Sequence, residues 1–109
     1  MLQDLTLPPE VTQYKRTNSF NADTVPKGFL NEHSTRAGIW GRLVVGQGSV
    51  AFQDQVSNER RTVNAGEFQV IVPQAVHFIE PSKDAEFFVE FYKDNGKPSE
   101  SPHEGKALL

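Results

Sequence analysis

The sequence predicts an all-β domain. Three observations lead there. Apolar and polar residues alternate with a period of two in several short segments, Gly, Pro, Asn and Asp punctuate the chain between them, and nowhere do apolar positions keep a helical period through three turns. A chain of 109 residues is of a size for one globular unit with one core, so a small sandwich or barrel is expected rather than two domains.

The first 27 residues are polar and carry Pro8, Pro9 and Pro26, which argues for an extended arm serving as an edge strand or a lid. From residue 28 to 92 the texture is that of a barrel core. Phe29, Asn31 and His33 alternate with Leu30, Glu32 and Ser34, the period of a strand with two different faces. Ile39 to Val45 reads as a second strand, with Ile39, Gly41, Leu43 and Val45 on one face and Trp40, Arg42 and Val44 on the other. Gly46-Gln47-Gly48 offers the freedom of a tight reversal, and Ser49 to Asp54 continues with Val50 and Phe52 on one side, so 39 to 54 is expected to be a hairpin. Asn58 to Arg61 reads as a charged turn, with Asp54 beside it at a hairpin tip, and Thr62-Val63 as a brief extended piece before the reversal at Asn64-Ala65-Gly66. Glu67 to Val72, His77 to Glu80 and the aromatic run Glu86 to Tyr92 complete the strands. The tail, 93 to 109, is polar, carries two prolines, and is expected to be loosely ordered and without chemistry.

Composition excludes several functions. Hydrophobic residues make up 37% of the chain, but eight Phe, one Trp and two Tyr are among them, so few side chains suffice to fill a core. Eleven Lys and Arg against fourteen Asp and Glu leave a net charge of −3, which gives no field to gather phosphate backbones. Nucleic acid is therefore not an expected partner. Without cysteine, thiolate zinc sites, disulfides and cysteine nucleophiles are excluded. The start, MLQDLTLPPE, lacks the pattern of a secretory leader and no apolar run is long enough to span a bilayer, so a cytoplasmic protein without membrane contact is expected. No glycine-framed nucleophile, phosphate loop or dinucleotide fingerprint is present.

Two stretches resemble a known family. Gly66-Glu67, Pro73 and His77 look like the second motif of cupins, in which a glycine turn and a proline set one histidine in the barrel mouth; here Ala75 and His77 fall early. His33-Ser34-Thr35, ahead of Gly46-Gln47-Gly48, is similar to the first motif, with Thr35 where a second histidine is usual and Trp40 or Gly41 where a carboxylate is usual. A closer likeness runs through Pro26-x-Gly28, His33-x-Thr35, Gly38-x-Trp40-Gly41-x-Leu43, Gly48, Gly66, Pro73, His77 and Phe88-x-Glu90-Phe91. This pattern resembles the small cupin-like family related to the N-terminal domain of the tellurite-resistance protein TehB and to YeaR. The resemblance implies a double-stranded β-helix, a jelly-roll barrel, and a link to tellurite or stress response. It implies no settled reaction, and in the TehB architecture the methyltransferase chemistry belongs to a separate domain.

Three groups of residues are candidates for chemistry. His33 and His77 can aim imidazoles at one point, and with Glu90, or Glu32 as the poorer choice because it alternates away from His33, they would hold one divalent Zn, Fe, Ni or Mn. The plain alternative is a half-buried His77 bonded to neighbouring backbone. Trp40 and Arg42 share a strand face, so a guanidinium stacked on the indole would offer donors to an oxyanion if both face inward; otherwise Arg42 reaches out to a surface carboxylate. Phe87, Phe88, Phe91 and Tyr92 read as packing, and His103 as a solvated tail residue. The leading expectation is a domain that binds a small molecule, oxyanion or metal in a pocket of His33, Trp40, Arg42 and His77. Its rivals are a metal-dependent enzyme, dioxygenase- or isomerase-like, on His33, His77 and Glu90, and an interaction module that pairs as a homodimer.

Overall fold

The structure is a computed structural model that describes residues 1–94. The remaining tail, including His103, lies outside the described residues, while Lys93 and Asp94 extend the last strand. A 3-10 turn at Leu2–Asp4 is followed by β1 (Val11–Arg16), β2 (Phe20–Asn21), a single helical turn α1 (Lys27–Leu30), β3 (Ile39–Gln47), β4 (Ser49–Asp54), β5 (Glu59–Asn64), β6 (Phe68–Ile71), β7 (His77–Pro81) and β8 (Glu86–Asp94).

These strands form two antiparallel sheets. One runs β1-β8-β3-β6, with β2 also on β8; the other runs β5-β4-β7. Only β4 and β5 are both consecutive in the chain and paired, so every other connection from β3 onward passes from one sheet to the other. The expected hairpin over 39 to 54 is therefore not formed: β3 pairs with β6 and β8, and Gly46-Gln47-Gly48 carries the chain across to β4 in the opposite sheet. A glycine-rich reversal has the same local composition whether the chain folds back beside itself or switches sheets, which is how the sequence misleads here.

The alternation read for β3 holds, with Ile39, Leu43 and Val45 buried and Trp40, Arg42 and Val44 half-buried on the outer face. On β8, Phe87, Val89 and Phe91 point inward against Val50, Phe52, Val63 and Ile79 of the second sheet. Burial of these side chains supplies the main driving force for closing the two sheets. Phe20 closes one end, its ring edge-on to Phe29 at 5.5 Å and to Phe87 at 6.2 Å.

The N-terminal arm is the edge strand expected of it, since β1 pairs with β8. Its first residues are pinned from inside: Gln69, 1% exposed, donates from Nε2 to the Leu2 and Val70 carbonyls, and Leu2 is buried. The strand expected at 28 to 34 is instead the turn of α1 and a single bridge at His33. Phe29 and His33 are four residues apart, a spacing that helix and strand both tolerate on one side, and Asn31 ends the turn by donating from Nδ2 to the Lys27 carbonyl. The expected turn at 58 to 61 is the start of β5, in which Arg60 and Arg61 pair with Gln53 and Phe52. Asp54 does cap the β4–β5 turn, its Oδ1 accepting from the Val56 and Ser57 amides.

Candidate functional site

His33 and His77 are brought together by a backbone bridge. The His33 N–H donates to the His77 carbonyl at 3.0 Å and the His77 N–H returns the bond at 2.9 Å, an antiparallel pair that seats the two side chains next to each other. The ring centroids are 4.3 Å apart, edge to face. Phe52 stacks on His77 at 5.0 Å and Phe29 leans on His33 at 5.7 Å, so both imidazoles are walled by aromatic carbon.

Each ring also meets the carbonyl two residues before it. His33 Nδ1 lies 2.8 Å from the Asn31 carbonyl and His77 Nδ1 2.9 Å from that of Ala75. A carbonyl only accepts, so both Nδ1 atoms carry hydrogen and, in the neutral rings, both Nε2 atoms carry the lone pair. Burial keeps the rings neutral. It lowers the His77 pKa to about 4, with neighbouring His33 pushing the same way and the Ala75 carbonyl and Asp54 opposing; it lowers that of His33 as well, against the carbonyls of both Asn31 and Gly28.

The two histidines line a narrow cavity with Phe29, Thr35, Leu43, Ile71, Ile79, Val89 and Phe91. Its volume is about 10 Å³, room for one water-sized particle and for no organic ligand without rearrangement. Thr35 is buried there, its hydroxyl donating to the Ile39 carbonyl at 2.7 Å, so an oxygen stands where cupins usually have a second histidine. Sequence reasoning did not anticipate the part taken by Phe29 and Phe52, nor Asp54 facing His77 across β4 and β7. The spacing of Phe29 four residues before His33 is the only local trace of this.

The other expected site residues are elsewhere. Glu90 pairs with Arg42 on the outer face of the first sheet, its Oε1 accepting from Arg42 Nε at 2.7 Å and from the Tyr92 hydroxyl at 2.9 Å. Strand alternation sends Glu90 out where Val89 and Phe91 go in, so the set His33, His77, Glu90 is not assembled. Among the described residues, no group of three His, Asp or Glu side chains is arranged to hold a metal ion. Glu32 accepts from Gln55 at the surface. Trp40 and Arg42 lie on the outer face too, so the expected pocket of His33, Trp40, Arg42 and His77 divides into an inner pair and an outer pair. Arg42 has aromatic neighbours, but they are Phe68 at 4.9 Å and Tyr92 at 5.9 Å from the ring centroids. Its pairing with Glu90 is the outward alternative noted for it above, and this pairing raises the Arg42 pKa further.

Two facing sheets joined by strand-switching connections define a cupin-fold domain, and the paired imidazoles line a small cavity between them. In agreement, a cupin protein from Bacteroides fragilis superposes with a TM-score of 0.51, covering 94% of this chain and 92% of that one at 14% identity, a likeness of fold alone. A solved Escherichia coli K12 protein is closer, with a TM-score of 0.79 at 26% identity over 90% of this chain and 96% of that one. Residues 15–89 match the model of the TehB-like domain, and the chain belongs to that family. It is 32% identical over 98 residues to the uncharacterized protein YeaR of Escherichia coli K12, covering 81% of this chain and 82% of YeaR. It is 30% identical over 89 residues to the probable S-adenosyl-L-methionine-dependent methyltransferase TehB of Haemophilus influenzae, covering 76% of this chain but only 31% of TehB. The chain thus spans about a third of the length of that relative. No helix of the described residues is long and apolar enough to cross a membrane.

Proposed function

We propose that the chain is a small binding domain that takes a single borderline transition-metal ion, of the Zn, Ni or Fe class, on Nε2 of His33 and Nε2 of His77. The observation that carries this reading is the pair of Nδ1–H bonds to the Asn31 and Ala75 carbonyls, which leaves two lone pairs on neighbouring rings lining one small cavity. Fixing the far nitrogen by a backbone acceptor is how proteins orient imidazole ligands and raise their basicity. Two lone pairs repel a bare anion, so an oxyanion reaches these rings only after a cation does, as a further ligand on the metal. Water or such a ligand completes the coordination, because no third protein carboxylate or imidazole is poised there among the described residues. A part in handling tellurite or a similar oxyanion stress follows from the family likeness and rests on it alone. The enzyme reading that used Glu90 as third ligand is not favoured, since that carboxylate is engaged by Arg42 and Tyr92.

Elemental mass spectrometry after incubation with Zn and gel filtration tests the proposal. Wild-type protein is expected to retain close to one equivalent, and a His33→Ala, His77→Ala double variant, with its fold checked by circular dichroism, essentially none. Equal retention by the two, or none by either, would remove the metal reading.

A further inference from the structure

A second concavity lies on the outer side of the first sheet, away from the histidines. The N-terminal segment Leu2 to Leu7 forms one bank, and Phe68 and Val70 of β6 with Arg61 of β5 form the other; Arg42 of β3 completes the lining. Its volume is about 480 Å³, within the range of small-molecule sites. The groove is built rather than incidental, because the buried Gln69 side chain ties Leu2 to the sheet and Arg61 Nη1 donates to both Gln69 Oε1 and the Phe68 carbonyl.

The lining has two chemical parts. Leu2, Leu5, Leu7, Val70 and Phe68 supply apolar walls; Phe68 is 46% exposed, with the Arg42 guanidinium 4.9 Å from its ring centroid, so apolar surface and cation adjoin in the groove. The charged lining residues are Arg42, Arg61 and Glu67; Glu67 lies 3.7 Å from Arg61 and Glu90 meets Arg42 at 2.7 Å, so the charges around the groove balance and the anchor it offers is directional hydrogen bonding rather than net charge. Arg61 is engaged by Phe68, Gln69 and Glu67. Arg42 is held by Glu90 through Nε alone among the described residues, so its Nη edge is the fork left for a ligand.

We propose that this groove binds a small monocarboxylic acid with an apolar body, its carboxylate on the Nη edge of Arg42 and its hydrocarbon against Leu5, Leu7 and Phe68. A hydrophilic inorganic anion would leave the walls wet, and a neutral hydrocarbon would make no use of the Nη edge of Arg42. Both parts of the ligand are needed, so affinity comes from the pair of them. The site shares no residue with the histidine cavity and stands or falls independently of it.

The test is a titration of the full chain by amide NMR with sodium octanoate, beside 1-octanol and sodium acetate as its two halves. Octanoate is expected to give saturable shifts at residues 2 to 7 and 68 to 70, with each half binding at least about tenfold more weakly, the worth of one charge-assisted contact. Arg42→Gln should abolish the preference for octanoate over octanol. Because that change also strips Glu90 of its partner, exposed Thr6 at the rim gives a second handle: Thr6→Lys should tighten octanoate binding and Thr6→Glu weaken it, with no change in fold. The His33→Ala, His77→Ala variant should bind octanoate as wild type does. Shifts that do not saturate, octanol binding as well as octanoate, indifference to charge at Thr6, or loss of binding in the histidine variant would each overturn the proposal.

Discussion

Gly48→Ala is expected to destabilise the protein by about 3 kcal/mol, the sum of a left-handed backbone penalty and a steric conflict. Gly48 stands where the chain leaves β3 for β4 and has φ of +66°, a region that costs residues with a Cβ. A methyl there would also lie 2.7 Å from Asp84 Oδ1, 2.8 Å from Ser82 Oγ and 2.9 Å from Ala85 Cα. The Ala85 Cα is backbone and cannot yield without moving the β7–β8 connection; the side chains of Ser82 and Asp84 can turn away only by giving up their bonds, since Ser82 Oγ donates to Asp84 and accepts from the Ser49 amide. Gly38 is the control. Its φ is +79° but a methyl there would meet nothing within 4 Å, so Gly38→Ala should cost only about 1 kcal/mol. Urea unfolding of the two variants decides: equal losses would show that the crossing between sheets at Gly48 is less closely packed than described.

The second large effect is on pH. An unfolded histidine titrates near 6.5, while His77 in the folded chain titrates at about 4 because its ring is buried beside Phe52 and His33. Between these values the unfolded chain binds the extra proton, so stability rises with pH across the window and is lost as pH falls through it. From pH 7 to pH 5 the loss from this ring alone is about 2 kcal/mol, and most carboxylates remain ionised over that range. His33, shifted in the same direction, adds to the loss, whereas Asp54 facing His77 moderates it. Urea midpoints at pH 7 and pH 5 should therefore fall steeply for the wild type and much less for His77→Gln, whatever the absolute stability of the variant. Equal slopes would mean that His77 is solvated and charged at pH 5.

Much of the fold was legible because it rests on alternation, and alternation is local. Ile39, Leu43 and Val45 announce the inner face of β3, and the aromatic run at 87 to 92 announces β8. What alternation cannot convey is which strands meet. The register of Arg42 against Glu90 joins residues 48 apart, and only that register reveals that Glu90 is answered on the outer face and is not free to serve the histidines. The same gap produced the false hairpin at 39 to 54, since Gly46-Gln47-Gly48 carries no information about the sheet that follows. Around His33, a turn and a strand were equally compatible with the spacing of Phe29 and His33, and the choice was made by Pro26 and by Asn31 closing the turn onto Lys27. The histidine pair itself was read from the family pattern, yet the feature that makes it chemically distinctive, two carbonyls each claiming an Nδ1 hydrogen, depends on backbone geometry that no residue type encodes.

The claim at the centre is that His33 and His77 present two unprotonated Nε2 atoms to one cavity at neutral pH. A long-range proton–nitrogen NMR spectrum of the imidazoles at pH 7, recorded before and after one equivalent of Zn, tests it most directly. Both rings are expected as the Nδ1–H tautomer before addition, with a joint shift of the two Nε2 signals after it. A hydrogen on Nε2 of either ring, or Nε2 signals unmoved by Zn, would contradict it.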